Sequence, residues 1–257
     1  MIVTVERDAG LATLTIDHPP LNLLTTAVVD ELATALDALV LDPPRCLLIR
    51  GAGALFSGGV DVAGFRQAGA GEFETWSSRC LNEVIAPLEV LPCPTVAACH
   101  GVSLTAAFEL ALGCDLIVAS STAQFGLVEA VIGLTPAMGG TARLAQRAGP
   151  SRARELIMTA GLYSAQKMLE WGVVTRVYDD ARFEQDATRF AQRLAQGPTL
   201  AHNATKAILR AYAAGGIKAA DASTPTVAAD LFNSADLCSG IESFLHAGPG
   251  HASFAGR

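Results

Sequence analysis

The sequence predicts an α/β body followed by an all-helical C-terminal region. Short apolar runs of strand length alternate with helix-period segments from residue 2 to residue 178. From residue 181 onward the chain holds helix-period segments and a Gly/Pro-rich tail, with no strand-like run. Strand, glycine turn and helix recur at 47–61 and 96–109, and more loosely at 117–131, as a ββα-like unit without a fixed period. The border falls at Gln196-Gly197-Pro198, dividing the chain into 1–196 and 197–257.

The elements follow in order. Residues 2–7 and 11–17 alternate apolar and polar side chains around Asp8-Ala9-Gly10 and predict a hairpin. Thr25 or Thr26 can cap a helix to about 41, with Val28, Leu32, Leu36 and Leu39 on one face. A buried strand is expected at 46–50 and a glycine-rich loop at 51–59, with Asp61 placed to begin a helix. A helix at 72–91, a buried strand at 95–99 and a helix at 104–112 come next, then strands at 115–119 and 124–125. Short helices at 127–131, 138–146, 152–159 and 165–172 lead to a strand at 173–178. Helices at 182–195, 199–214, 218–233 and 237–246 complete the chain.

With 51% hydrophobic and 17% charged residues, the 257-residue chain can bury a sizeable core, as one domain or one domain with an appendage. A formal charge of −7 argues against nucleic acid as the main partner. Cys46, Cys80, Cys93, Cys99, Cys114 and Cys238 form no C-x-x-C pair and have no zinc-type spacing to histidine, so no metal site is expected. They read as reduced, buried thiols of a cytoplasmic protein. The acidic residues of the N-terminal segment do not fit a signal peptide. The uncharged stretch 90–108 contains Pro92, Pro94, His100 and Gly101, which suit a strand, a turn and a buried helix better than a membrane span. No G-x-G-x-x-G or P-loop suggests redox or phosphoryl-transfer chemistry.

Three segments carry the candidate chemistry. Phe56-Ser57-Gly58-Gly59-Val60-Asp61 places glycines before a helix start, where free N–H groups can meet developing negative charge. In the segment 100–115, Glu109 sits among Leu, Ala, Phe and Thr, and the small residues at 105–107 let a ligand approach the helix start. A carboxylate in such surroundings is costly unless paired, and usually shifts its pKa upward. In the segment 125–144, Glu129 again has apolar neighbours, followed by Pro136 and Gly139-Gly140. Each segment alone also has an ordinary reading: a Gly-Gly turn before a helix, a solvent-facing or ion-paired Glu109, an amphipathic-helix Glu129.

Together and in this order, the three segments resemble the enoyl-CoA hydratase/isomerase (crotonase) superfamily over nearly the whole chain. His18-Pro19-Pro20-Leu21-Asn22-Leu23-Leu24 is similar to the family's P-x-x-x-N-A-L, and 243–246 with 254–257 look like its C-terminal helix and tail. The resemblance implies a crotonase-like spiral of ββα units with a C-terminal helical trimerisation region, assembled as a homotrimer or homohexamer. It implies an oxyanion hole from the backbone N–H groups of Val60 and Ala106. The hydratase-type glutamates fall on Glu109 and Glu129, and a water-placing N–H on Ala137. Carbonyls that contact adenine in the family match Gly58 and Val60, with Asp61 beside them.

The expected partner is an acyl-CoA or acyl-carrier-protein thioester, with coenzyme A serving only as substrate handle and no further cofactor. Where relatives carry basic residues that meet coenzyme A phosphates, this chain has Ala63 and His246-Ala247, which keeps both handles open. Val60 is β-branched, and Thr105-Ala106-Ala107 stands where the family has a glycine run. The expected reaction is hydration of a 2-enoyl thioester to a 3-hydroxyacyl thioester. The alternatives are an isomerase or decarboxylase of the same fold, or a catalytically silent acyl-thioester-binding subunit. By family analogy Glu109 activates water and Glu129 protonates the α-carbon; the sequence itself leaves the two roles interchangeable. His100 reads as a hydrogen-bonded structural residue, and Lys206 with Arg210 as a solvated helix face.

Overall fold

The computed structural model describes residues 1–66 and 68–256. The chain opens with β1 (Val3–Asp8) and β2 (Leu11–Ile16), antiparallel with Val3 opposite Ile16. Ala9 and Gly10 turn the hairpin at φ 45° and 87°, the left-handed geometry that matches strand twist. In α1 (Thr26–Leu41) the Thr25 hydroxyl oxygen accepts from the Val28 N–H, and the face of Val28, Leu32, Leu36 and Leu39 is buried as the periodicity predicts.

β3 (Cys46–Gly51) lies parallel to β2. The single helix expected at 72–91 is α2 (Ala70–Arg79), a wider π-type stretch over Cys80–Ile85, and α3 (Ala86–Val90). β4 (Thr95–Cys99) is buried along its whole length. β5 (Val102–Leu104), α4 (Thr105–Gly113), β6 (Leu116–Ser120) and β7 (Gln124–Gly126) follow. A 3-10 turn at Glu129–Ile132 replaces the helix expected at 127–131. After it come α5 (Gly140–Ala148), α6 (Pro150–Thr159), β8 (Tyr163–Ser164), α7 (Ala165–Glu170), β9 (Arg176–Tyr178) and α8 (Phe183–Ala195).

Six strands form one sheet in the order β1-β2-β3-β4-β6-β9, parallel apart from the β1–β2 hairpin. A smaller sheet, β5-β7-β8, stands apart from it. β5 and β8 had no sequence signal because, at three and two residues, they are too short to show alternation. A parallel sheet must be covered on both faces. The larger core joins α1 and α4 to one face through Leu14, Ile49, Ala97, Phe108 and Leu112. On the other face Phe183, Ala187, Phe190 and Ala191 of α8 pack on Leu48, Val96, Ala98 and Val118.

Beyond α8, α9 (Thr199–Asp230) breaks at Gly215 and Gly216, between the two helices expected at 199–214 and 218–233, and α10 (Ala235–Ala247) follows. Arg45 ties this region down by donating to the carbonyls of Gly197 at 2.8 Å and Phe254 at 2.9 Å. Two expectations are corrected. Cys238 is exposed, whereas the other five cysteines are buried, because it lies on α10 away from the main core. Lys206 is no solvated residue: its Nζ lies 2.8 Å from Asp115 Oδ2 and donates to Cys93 O at 2.9 Å, which satisfies the ammonium inside the protein. His100 behaves as expected, with Nε2 3.0 Å from Gly53 O. No helix among the described residues is long and apolar enough to cross a membrane.

Candidate active site

The loop at 56–60 is held by the segment at 18–24. Asn22, in a left-handed conformation at φ 51°, donates through Nδ2 to the carbonyls of Ala52 at 2.8 Å and Leu55 at 3.1 Å. The Ser57 hydroxyl donates to Asn22 O at 2.7 Å and accepts from the Gly59 N–H at 3.0 Å. Gly58 N–H donates to Leu21 O, and Leu24 N–H to Gly59 O, both at 2.8 Å. Ser57 N–H donates to Val102 O, and Leu104 N–H to Ser57 O, so the loop pairs with β5 and is carried to the N-terminus of α4. Asn22 was visible in the sequence only as one letter of the 18–24 motif; its role as an organiser of the loop was not.

At that helix start Ala106 is buried, and its N–H precedes the first intrahelical bond. Val60 differs from the expectation of a free amide: its N–H donates to Thr105 Oγ1 at 2.9 Å. Thr105 adopts φ 46°, and its hydroxyl lies so close to Gly59 that a Cβ at position 59 would overlap it. The sequence marked Thr105 only as a small residue. Asp61 caps the turn Val62–Phe65, its Oδ1 accepting from the Ala63 N–H at 3.1 Å. Beside Val60 and Asp61 lies a cavity of about 400 Å³ walled by Leu24, Phe65, Phe73 and Trp76; neither Glu109 nor Glu129 is part of its lining.

Glu109 is 1% exposed. Its Oε2 accepts from the N–H groups of Met138 at 2.9 Å and Gly140 at 2.6 Å. Burial pushes its pKa up, while the backbone N–H groups of Gly140, Met138 and Ala137 and the charge of Arg143 oppose the rise. The Pro136-to-Gly140 turn therefore supplies backbone partners for the Glu109 carboxyl, with the Ala137 N–H directed at it rather than, as the resemblance implied, at a water. Met138 and Gly140 were missed, since backbone donors leave no mark on composition beyond the Gly-Gly pair.

Glu129 is 5% exposed, and its Oε2 has no hydrogen-bond partner among the described residues. Burial pushes its pKa to about 7, opposed by its own backbone N–H and raised further by the charge of Glu109. Two buried carboxyls thus lie within electrostatic reach of one another with opposite surroundings. Burial raises both pKa values, but Glu109 Oε2 is cradled by backbone donors, whereas Glu129 has only its own backbone N–H, and its Oε2 has no partner among the described residues.

Comparison with known proteins places the chain in a family. The enoyl-CoA hydratase/isomerase family profile matches residues 6–252. The chain belongs to the enoyl-CoA hydratase/isomerase family, and its fold is the crotonase fold. It is 34% identical over 203 residues to the probable enoyl-CoA hydratase EchA17 of Mycobacterium tuberculosis, covering 79% of this chain and 77% of that one. It is 30% identical over 256 residues to a probable enoyl-CoA hydratase of Rhodobacter capsulatus, covering 99% and 98%. Among solved structures, enoyl-CoA hydratase subunit I of Geobacillus kaustophilus matches with TM-score 0.92 at 29% identity, over 100% of this chain and 99% of that one. An enoyl-CoA hydratase of Mycobacterium smegmatis matches with TM-score 0.89 at 26% identity, over 95% and 96%.

Proposed function

We propose that this protein adds water to a 2-enoyl thioester to give a 3-hydroxyacyl thioester. The observation that carries this reading is the unequal pair of buried carboxyls. Glu109 Oε2 accepts from two backbone N–H groups, whereas Glu129 Oε2 has no partner among the described residues and its pKa is raised to about 7. Hydration needs a base for water and an acid for the α-carbon. Glu109, whose backbone donors oppose the effect of burial, takes the proton from water, with the Ala137 N–H helping to hold that water. Glu129, its pKa raised to about 7 so that the protonated form is well populated, delivers a proton to the α-carbon.

As water adds, charge builds on the thioester oxygen, and donors fixed at the α4 N-terminus, beside the loop at Val60, stabilise it more than the ground state. The Ala106 N–H is assigned to that oxygen, and losing one such donor costs about 3–4 kcal/mol. The acyl thioester carries coenzyme A or a carrier protein, its adenine end, where present, meeting the carbonyls of Gly58 and Val60 near Asp61. The reaction as proposed uses no cofactor beyond its substrate.

A cytoplasmic homotrimer or homohexamer is the proposed assembly. In support, the C-terminal helices expose Ile217, Phe232, Phe244 and Leu245 at 60–76%, more apolar surface than a lone subunit usually leaves open. The function is tested by following loss of enoyl-thioester absorbance with matched coenzyme A and carrier-protein substrates. Glu109→Gln and Glu129→Gln should each lose about 100-fold or more in kcat. An unchanged rate in both variants removes the assigned roles. Turnover of a β,γ-enoyl thioester without hydration would make the protein an isomerase instead.

A further inference from the structure

The Val60 N–H is a single donor, and it is spent on Thr105 Oγ1 at 2.9 Å. A hydroxyl oxygen that accepts this bond keeps its own proton to give away. Among the described residues the Thr105 hydroxyl proton has no acceptor, although the residue is 8% exposed. Burying a donor without an acceptor is unfavourable, so this hydroxyl proton is available to an acceptor oxygen of a bound substrate.

The surroundings are built for this oxygen. Thr105 holds φ 46°, a conformation that a β-branched residue adopts only under strain. Gly59, at φ 97°, leaves the space that the hydroxyl occupies, and a Cβ there would overlap Oγ1 and crowd Leu104 O. Thr105 is the first residue of α4 and Ala106 the second, so the hydroxyl and the Ala106 N–H sit at the same helix start.

We propose that the Thr105 hydroxyl, polarised by the Val60 N–H behind it, is the oxyanion donor on this side of the site and works together with the Ala106 N–H. The proposal rests on the thioester reading and replaces the Val60 amide as direct donor. The Val60 N–H donates to Oγ1, the Thr105 O–H donates to the thioester oxygen, and no proton leaves the hydroxyl. An O–H that accepts a hydrogen bond becomes a stronger donor, because the two bonds polarise each other. The added oxygen also moves the donor atom away from the loop, so the thioester carbonyl must sit farther from Val60 than an amide pair would hold it.

The test compares Thr105→Ser, Thr105→Ala and Thr105→Gly by two readouts. The first is kcat and KM for hydration. The second is the carbonyl carbon-13 shift of labelled butyryl thioesters of coenzyme A and of pantetheine, which bind without reacting. Thr105→Ser should keep kcat within about threefold and keep the downfield shift of the bound carbonyl. Thr105→Ala and Thr105→Gly should lose about 100-fold in kcat, with KM changed only a few-fold, and lose most of the shift. Glycine suits the backbone at this position, so the glycine variant keeps the test valid if the alanine variant folds poorly. Glycine or alanine variants as fast as the wild type, or faster, with the shift intact, would mean that the hydroxyl only blocks the amide, and the proposal falls while the hydratase reading stands. A wild type that hydrates nothing, yet shifts the label in a Thr105-dependent way, fails the hydratase reading and keeps the donor. A wild type that leaves the label unshifted overturns the proposal.

Discussion

The Gly140 N–H donates to Glu109 Oε2 at 2.6 Å, and a Cβ added at position 140 would stand 2.6 Å from Glu109 Cγ. The bond and the missing side chain are one device: only a residue without Cβ lets this backbone come so near the carboxylate. Gly140→Ala should therefore push Glu109 aside while α5 still forms, since alanine is the better helix residue. Displacing a general base by about 1 Å costs roughly 100-fold in kcat. Steady-state kinetics on an enoyl thioester together with a thermal melt checks this. A variant with normal kcat would show that Glu109 does not need its backbone cradle.

Lys206 joins the C-terminal region to the body through Asp115 Oδ2 at 2.8 Å and Cys93 O at 2.9 Å. Removing the ammonium alone leaves the Asp115 carboxylate, among the described residues, with its bonds from the Thr95 N–H and hydroxyl. Breaking a buried ion pair costs about 3–5 kcal/mol, and the partial exposure of Asp115 puts Lys206→Met near the lower end. Asp115→Asn combined with Lys206→Met should recover more than half of the loss, because an amide oxygen still accepts from Thr95 and no charge is stranded. Urea denaturation of the two variants against the wild type measures the difference.

Much of this architecture was legible in the sequence, and the reason differs by element. α1 and β4 came out at or near their observed bounds because each buries a regular apolar pattern, one with helical spacing and one continuous. The break in α9 was marked by Gly215-Gly216. The small sheet was not legible, since β5 and β8 are defined by partners far along the chain rather than by their own residues. At the site, Glu109 and Glu129 stood out as carboxylates in apolar runs. Their inequality did not, because it arises from backbone donors at 138 and 140, which leave no mark in the sequence beyond the Gly139-Gly140 pair. Thr105 was passed over for a related reason: its importance lies in the bond from Val60, 45 positions upstream. Lys206 looked solvated because helical spacing shows which residues share a face, not what that face meets.

Asp236 fixes the tail in a similar way, its two carboxylate oxygens accepting from the Ala255 N–H at 2.6 Å and the Gly256 N–H at 2.9 Å. The residue is 4% exposed, so both bonds are shielded from water. Asp236→Ala should release the last residues at a cost of about 1–3 kcal/mol while leaving the sheet untouched. Hydrogen exchange would show lost protection at 255 and 256, with protection in β3 and β4 retained. Loss of protection in those strands as well would mean that the tail supports the body directly.

The raised pKa of Glu129 makes two measurements depend on pH in a fixed direction. Burial raises its carboxyl to about 7 in the folded chain, against an ordinary value of 4.5 when unfolded. The folded state therefore binds more protons between those values, and stability falls as pH rises from about 4.5 to about 7, then levels off. Glu129→Gln cannot ionise, so it should match the wild type at about pH 5 and exceed it at about pH 8. Hydration should show the same ionisation as activity: kcat/KM falls about tenfold per pH unit above about 7, as the acid needed at the α-carbon loses its proton. Because Glu109 contributes to the shift, that limb belongs to the pair rather than to one residue. A pH–rate profile that stays flat from about 6 to 9, or a glutamine variant whose stability parallels the wild type across that range, would show that Glu129 is not the neutral acid of the site.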